Sequence, residues 1–92
     1  MMGGPLTIAC AGAGYWGRNL VRVFGGLSDV RLKVVCDSNA EVRQAMQQQY
    51  GDVRVEAQYE VVLKDSEVEA VVLAVPAIRH FSAAKAALTA GK

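Results

Sequence analysis

Six residues near the N-terminus, Gly12-Ala13-Gly14-Tyr15-Trp16-Gly17, fit the spacing G-x-G-x-x-G. Such a loop binds anions when a strand runs into it and a helix runs out of it. Backbone N–H groups at the helix start then point at the ligand, and the helix dipole favours negative charge. Each glycine has a task in that setting. Gly12 permits the tight turn, Gly14 lets the backbone approach a pyrophosphate, and Gly17 lets the helix pack on the strand. The N–H groups of Gly14, Tyr15 and Trp16 are the expected phosphate donors, with Ala13 inside the loop.

A carboxylate stands where this chemistry would need one. Asp37 lies 20 residues beyond Gly17 at the end of a second apolar run. At that place it can accept hydrogen bonds from the hydroxyls of an adenosine ribose and would repel a 2′-phosphate. Ser38 and Asn39 add no positive charge beside it, so NAD is expected over NADP. Arg43, a turn or more into the next helix, could swing back. Taken singly, the glycines could serve packing alone, and Asp37 could be an extra helix-start residue beside Ser38. Together, in one strand–helix–strand unit, they point to a dinucleotide.

Two further features belong near such a site. Ala74-Val75-Pro76 ends a fourth apolar run, and ligands of open α/β sheets sit outside the carboxyl ends of strands. His80, four residues beyond Pro76, would touch the nicotinamide end or be a locally bonded, half-exposed histidine. Trp16 reads equally as a stacking platform or as a core residue of the first helix.

The elements that must position these residues alternate along the chain. Leu6–Ala11 reads as a buried strand, and Tyr15–Phe24 carries apolar residues at helical spacing before Gly25-Gly26 stops it. Arg31–Asp37 is a second strand. Ser38 with Glu41 makes a capping box that opens a helix to about Tyr50, with Val42, Ala45 and Met46 on its core face. Val53–Val55 is a short third strand, Tyr59–Lys64 a brief helix and Glu69–Val75 a fourth strand. The alanine-rich stretch His80–Ala90 closes the chain as a helix. Strict alternation predicts an α/β, Rossmann-like doubly wound parallel sheet of about four strands in order 3-2-1-4. Helices should cover both faces, and the sheet is incomplete.

Composition agrees. Ninety-two residues make one domain or part of one; 52% are hydrophobic and 21% charged, enough to fold. Ten basic against nine acidic side chains leave +1, which gives no basis for nucleic-acid or anionic-membrane binding. No apolar run approaches a membrane span, and no signal peptide or metal-ligand spacing is visible. Cys10 and Cys36 read as reduced, buried thiols of a cytoplasmic protein.

The residues also resemble a known family. Gly12-Ala13-Gly14-Tyr15-Trp16-Gly17-Arg18-Asn19 resembles the opening loop of the Gfo/Idh/MocA family (glucose–fructose oxidoreductase, inositol dehydrogenase and relatives). Val34-Val35-Cys36-Asp37 is similar to its second strand. Val68–Pro76, His80 and Ala87–Lys92 are similar to its fourth strand and following helix. The resemblance implies a nicotinamide-dependent oxidoreductase acting on a sugar, nucleotide-sugar or cyclitol alcohol. By position it assigns Gly12, Gly14 and Gly17 to the pyrophosphate and Asp37 to the adenosine ribose. Ala74, Val75 and Pro76 would line the nicotinamide ribose, with His80 near the nicotinamide. The Gly-Tyr-Trp-Gly form of the loop leans toward members that act on nucleotide-linked amino sugars.

One departure bears on activity. The family continues from the Gly-Lys at this position into a strand and a Glu-Lys-Pro motif whose lysine is catalytic, and then into a substrate domain. No Glu-Lys-Pro occurs here, and Lys92 precedes that strand. Residues 1–92 are therefore expected to be a single N-terminal dinucleotide-binding fragment without its C-terminal substrate domain, inactive alone. The alternative is a non-catalytic Rossmann module that binds nucleotides or senses redox state. The expected partners are the dinucleotide and, in the parent, a sugar-like substrate; a homo-oligomer stays open.

Overall fold

The structure, a computed structural model, describes residues 5–14 and 16–92. Tyr15, assigned by sequence to the phosphate loop, lies outside the described residues. Strands β1 (Leu6–Ala11), β2 (Val30–Cys36), β3 (Arg54–Glu56) and β4 (Ala70–Leu73) alternate with helices α1 (Gly17–Gly25), α2 (Ala40–Gln49), α3 (Tyr59–Lys64) and α4 (Ala77–Thr89). The strands form one parallel sheet in order β3-β2-β1-β4, as the alternation predicts.

Central β1 explains why the sheet is two-sided. Its residues from Thr7 onward are all buried, and successive side chains serve opposite faces. Cys10, with Val35 of β2, packs against Val21 of α1 and Met46 of α2. Ala9, with Val34 and Cys36, packs on the other face against Val62 of α3 and Val68. Fully burying one such valine is worth ~1.5–3 kcal/mol. The two cysteines thus lie on opposite faces, both free and buried. Burial pushes both thiols up to about 11, with nearby Glu56 and Asp37 adding to the effect at Cys36.

Several boundaries differ from the sequence reading, each for a local reason. Helix α1 starts at Gly17, with Trp16 as its N-cap and the Arg18 N–H on the Gly14 carbonyl at 3.0 Å. Asn39, not Ser38, caps α2. Its Oδ1 accepts from the N–H groups of Glu41 and Val42, at 2.8 and 3.3 Å. Ala45 is exposed, not core. Tyr50 joins Val42 and Met46 on the buried cluster. At ~100° per residue, that rotates the packed face away from position 45.

Strand β2 spans Val30–Cys36, which leaves Asp37 just past its end, and β3 begins one residue late. Strand β4 stops at Leu73 because its partner stops: Leu73 pairs with Ala11, after which the chain turns at Gly12. Helix α4 begins at Ala77, three residues earlier than expected, directly after Pro76. The fixed φ of that proline (−54°) suits a helix entrance.

Candidate dinucleotide site

The glycine loop is built by two close crossings. Gly12 has φ +95°, and a Cβ placed there would lie 2.5 Å from the carbonyl oxygen of Ala74. A Cβ on Gly17 would collide with the carbonyl of Gly12. Both glycines are therefore demanded by the fold itself. Gly14 differs. Its Cβ would meet nothing within 4 Å, and it lines an open cleft at the carboxyl edge of the sheet. No packing partner among the described residues requires glycine there, but a ligand lying against the loop would.

The cleft has a volume of about 1060 Å³. Gly12, Gly14 and Trp16 line one side, Asp37 and Ser38 another, and Ala74, Val75, Pro76 and His80 a third. Nine of the sequence-assigned residues thus converge on one space. Trp16 is 72% exposed at its mouth, so the core alternative for this side chain does not hold. His80 is exposed in the first turn of α4.

Ala13 and Gly17 do not line the cleft; both are buried. Ala13 instead ties the loop to β2. Its N–H donates to Asp37 Oδ2 at 2.9 Å, while Asp37 Oδ1 accepts from the Asn39 N–H at 2.9 Å. The carboxylate therefore bridges the glycine loop and the entrance of α2. Each oxygen keeps a lone pair for a further donor.

The cleft extends farther than the sequence reading placed it. Tyr59 and Glu60 of α3 and Arg79, Ser82 and Ala83 of α4 form its far wall. The Tyr59 hydroxyl donates to the Ala83 carbonyl at 2.8 Å, pinning α3 to α4 across that wall, and burial raises its pKa. One signal for this wall was present: Ala57 directly follows β3, so residues 57–60 occupy the carboxyl end of a strand. The described residues contain no cluster of His, Cys, Asp or Glu able to hold a metal ion. No helix among them is long and apolar enough to cross a membrane.

Comparison with known proteins agrees with this geometry. The profile of the Gfo/Idh/MocA family, described as an oxidoreductase family with an NAD-binding Rossmann fold, matches residues 6–92. An NAD-binding protein from Listeria innocua is 32% identical, with a TM-score of 0.86 over 95% of this chain and 25% of its own. GenD2 from gentamicin A biosynthesis, solved in complex with NAD, is 29% identical, with a TM-score of 0.90 over 100% of this chain and 26% of its own. A 3-ketoreductase from Actinomadura kijaniata, solved with TDP-benzene and NADP, shares the fold at 19% identity, with a TM-score of 0.84 over 97% of this chain and 28% of its own. The chain spans about a quarter of the length of these proteins. No curated protein sequence matches it.

Proposed function

The chain belongs to the Gfo/Idh/MocA oxidoreductase family, through its NAD-binding Rossmann fold, and from that premise we propose that its cleft holds a nicotinamide dinucleotide, NAD in preference to NADP, for a dehydrogenase of sugar, nucleotide-sugar or cyclitol alcohols. The observation that carries this reading is Gly14, which the packing leaves free to bear a side chain and which faces the cleft as bare backbone. A pyrophosphate lying against that backbone accounts for the absence of a Cβ. Its donors are the N–H groups around Gly14 and Trp16 at the entrance of α1, where the helix dipole adds to the attraction.

Asp37 supports the choice of NAD. Its remaining lone pairs suit the two ribose hydroxyls, and a 2′-phosphate would meet its negative charge at short range. Ala74, Val75 and Pro76 provide an apolar wall for the nicotinamide ribose, and His80 stands beside them. When bound, the nicotinamide supplies or accepts hydride at its C4 carbon. The residues of this chain bind and orient it; proton transfer is assigned to groups outside residues 1–92, so the 92-residue chain should not turn over polyols. Two buried, unpaired thiols fit the reducing cytoplasm.

Trp16, exposed at the cleft and the sole tryptophan, reports on the site directly. Titration with NAD⁺ should give a saturable change in its fluorescence, with weaker binding of NADP⁺. Gly14→Val should abolish the response while the variant stays folded. A folded parent chain whose tryptophan and amide NMR spectra ignore both nucleotides would sink the reading.

A further inference from the structure

Arg43 lies at the end of the first turn of α2, outside the cleft, and its guanidinium turns back toward the end of β2. One nitrogen, Nη1, donates to two consecutive carbonyls, those of Asp37 and Ser38, each at 2.9 Å. Without a cation between them, two carbonyl dipoles aimed at one point repel, and the turn would relax. With it, both peptide planes of the turn are fixed. The same turn carries the carboxylate that reaches Ala13 of the glycine loop and Asn39 of the α2 cap. A continuous chain of contacts therefore runs from Arg43 through residues 37–39 to the loop.

We propose that Arg43 is a positioning residue for the cofactor site: by clamping the carbonyls of Asp37 and Ser38 it holds the Asp37 carboxylate on the Ala13 N–H. The link from Arg43 to Ala13 stands on the contacts just described. Its consequence for affinity rests on the dinucleotide reading. Lysine is a poor substitute, since a compact ammonium does not reproduce the planar guanidinium.

The test uses amide NMR of the ligand-free 92-residue chain, followed by NAD⁺ titration. In Arg43→Gln the Ala13 amide should move in the direction seen in Asp37→Asn, although residue 43 does not touch it. Arg43→Lys should fall between parent and Arg43→Gln, and it serves as the second variant if Arg43→Gln unfolds. NAD⁺ affinity should fall roughly fivefold in Arg43→Gln, and the loss should vanish in the Asp37→Asn background, as for residues acting through one network. An unmoved Ala13 amide in a folded Arg43 variant overturns the proposal, as do losses that simply add. A shifted Ala13 amide in a series that never binds NAD⁺ upholds the positioning role and removes the dinucleotide reading instead.

Discussion

Strand β2 carries charge at its middle and just past its end, and the two places treat it differently. At its midpoint, Lys33 Nζ lies 2.6 Å from Asp65 Oδ2 and 2.8 Å from Glu67 Oε1, and Arg54 adds a second cation to Asp65 at 3.5 Å. Every charge in that cluster meets an opposite charge. At the other place, among the described residues, Asp37 Oδ1 and Oδ2 are held by backbone N–H groups, and the nearby cation, Arg43, is occupied by carbonyls. A carboxylate satisfied by fixed dipoles retains acceptor capacity on its open side. One neutralised by ammonium and guanidinium groups has little left to offer. The first arrangement suits a ligand, and the second fastens the loop between α3 and β4 onto the sheet.

That division can be broken first inside the glycine loop, where the largest effect is expected. Gly17 sits at the ligand-facing end of the molecule yet serves the fold, because its Cβ would strike the Gly12 carbonyl. Backbone cannot yield as a flexible side chain does, so Gly17→Ala should cost about 3 kcal/mol or more. Gly14→Ala should change stability by less than ~1 kcal/mol, since a Cβ there meets nothing. Urea melts of the two variants check this. Equal losses would mean that Gly14 too is a packing glycine, and its value as a sign of a ligand would be gone.

How far these roles were legible from the sequence depends on the distance over which each is decided. Strand order and the convergence of Gly14, Asp37 and Ala74–Pro76 follow from alternation and from the rule that ligands meet the carboxyl edge. The far wall does not. Tyr59 and Ala83 are 24 residues apart, and only the tertiary fold brings them within hydrogen-bond reach. The Lys33 cluster was equally hidden. The pairing of β1 with β2 skips Lys33 at an irregularity between Ile8 and Ala9, which no local pattern announces. Such a bulge re-aims a side chain, and here the re-aimed lysine meets Asp65 and Glu67, more than thirty residues on. Even the Ser38–Glu41 box failed for a non-local reason, since Asp37, itself tied to Ala13, holds the Asn39 N–H and leaves Asn39 to cap the helix.

The charged cluster makes the second, smaller prediction. Lys33 holds Asp65 below the usual carboxylate range, helped by the Glu67 N–H on Asp65 Oδ1, and holds Glu67 down in the same way. Both carboxylates in turn raise the Lys33 pKa. For the carboxylates, whose pKa values fall on folding, the stabilisation is complete above about pH 4–5 and is lost as pH falls through their folded values. For Lys33 the sign is opposite: its contribution is present below about pH 10 and disappears as pH rises through the folded value. The parent should therefore show a flat stability plateau at neutral pH with an acid limb. Lys33→Met should lower that plateau and flatten the limb, leaving NAD⁺ affinity unchanged. Thermal melts between pH 2.5 and 8 separate the two cases. A steep acid limb surviving in Lys33→Met would show that other carboxylates, not this cluster, carry the pH response.

The smallest effect belongs to the outermost pair. Arg31 Nη1 and Glu67 Oε1 are 3.8 Å apart, with side chains 57% and 62% exposed. At that separation water screens most of the attraction, and ordering two long side chains consumes the remainder. Lys33 already sits at 2.8 Å from the same carboxylate, so removing Arg31 leaves Glu67 answered. Arg31→Ala should therefore melt within about 2 °C of the parent at 0.15 M salt. The contrast with Lys33→Met isolates what matters in the cluster, since both variants delete one positive charge from the same strand. A drop in Arg31→Ala as large as that in Lys33→Met would mean that summed charge on β2, and not the short contacts to Asp65 and Glu67, fastens the loop.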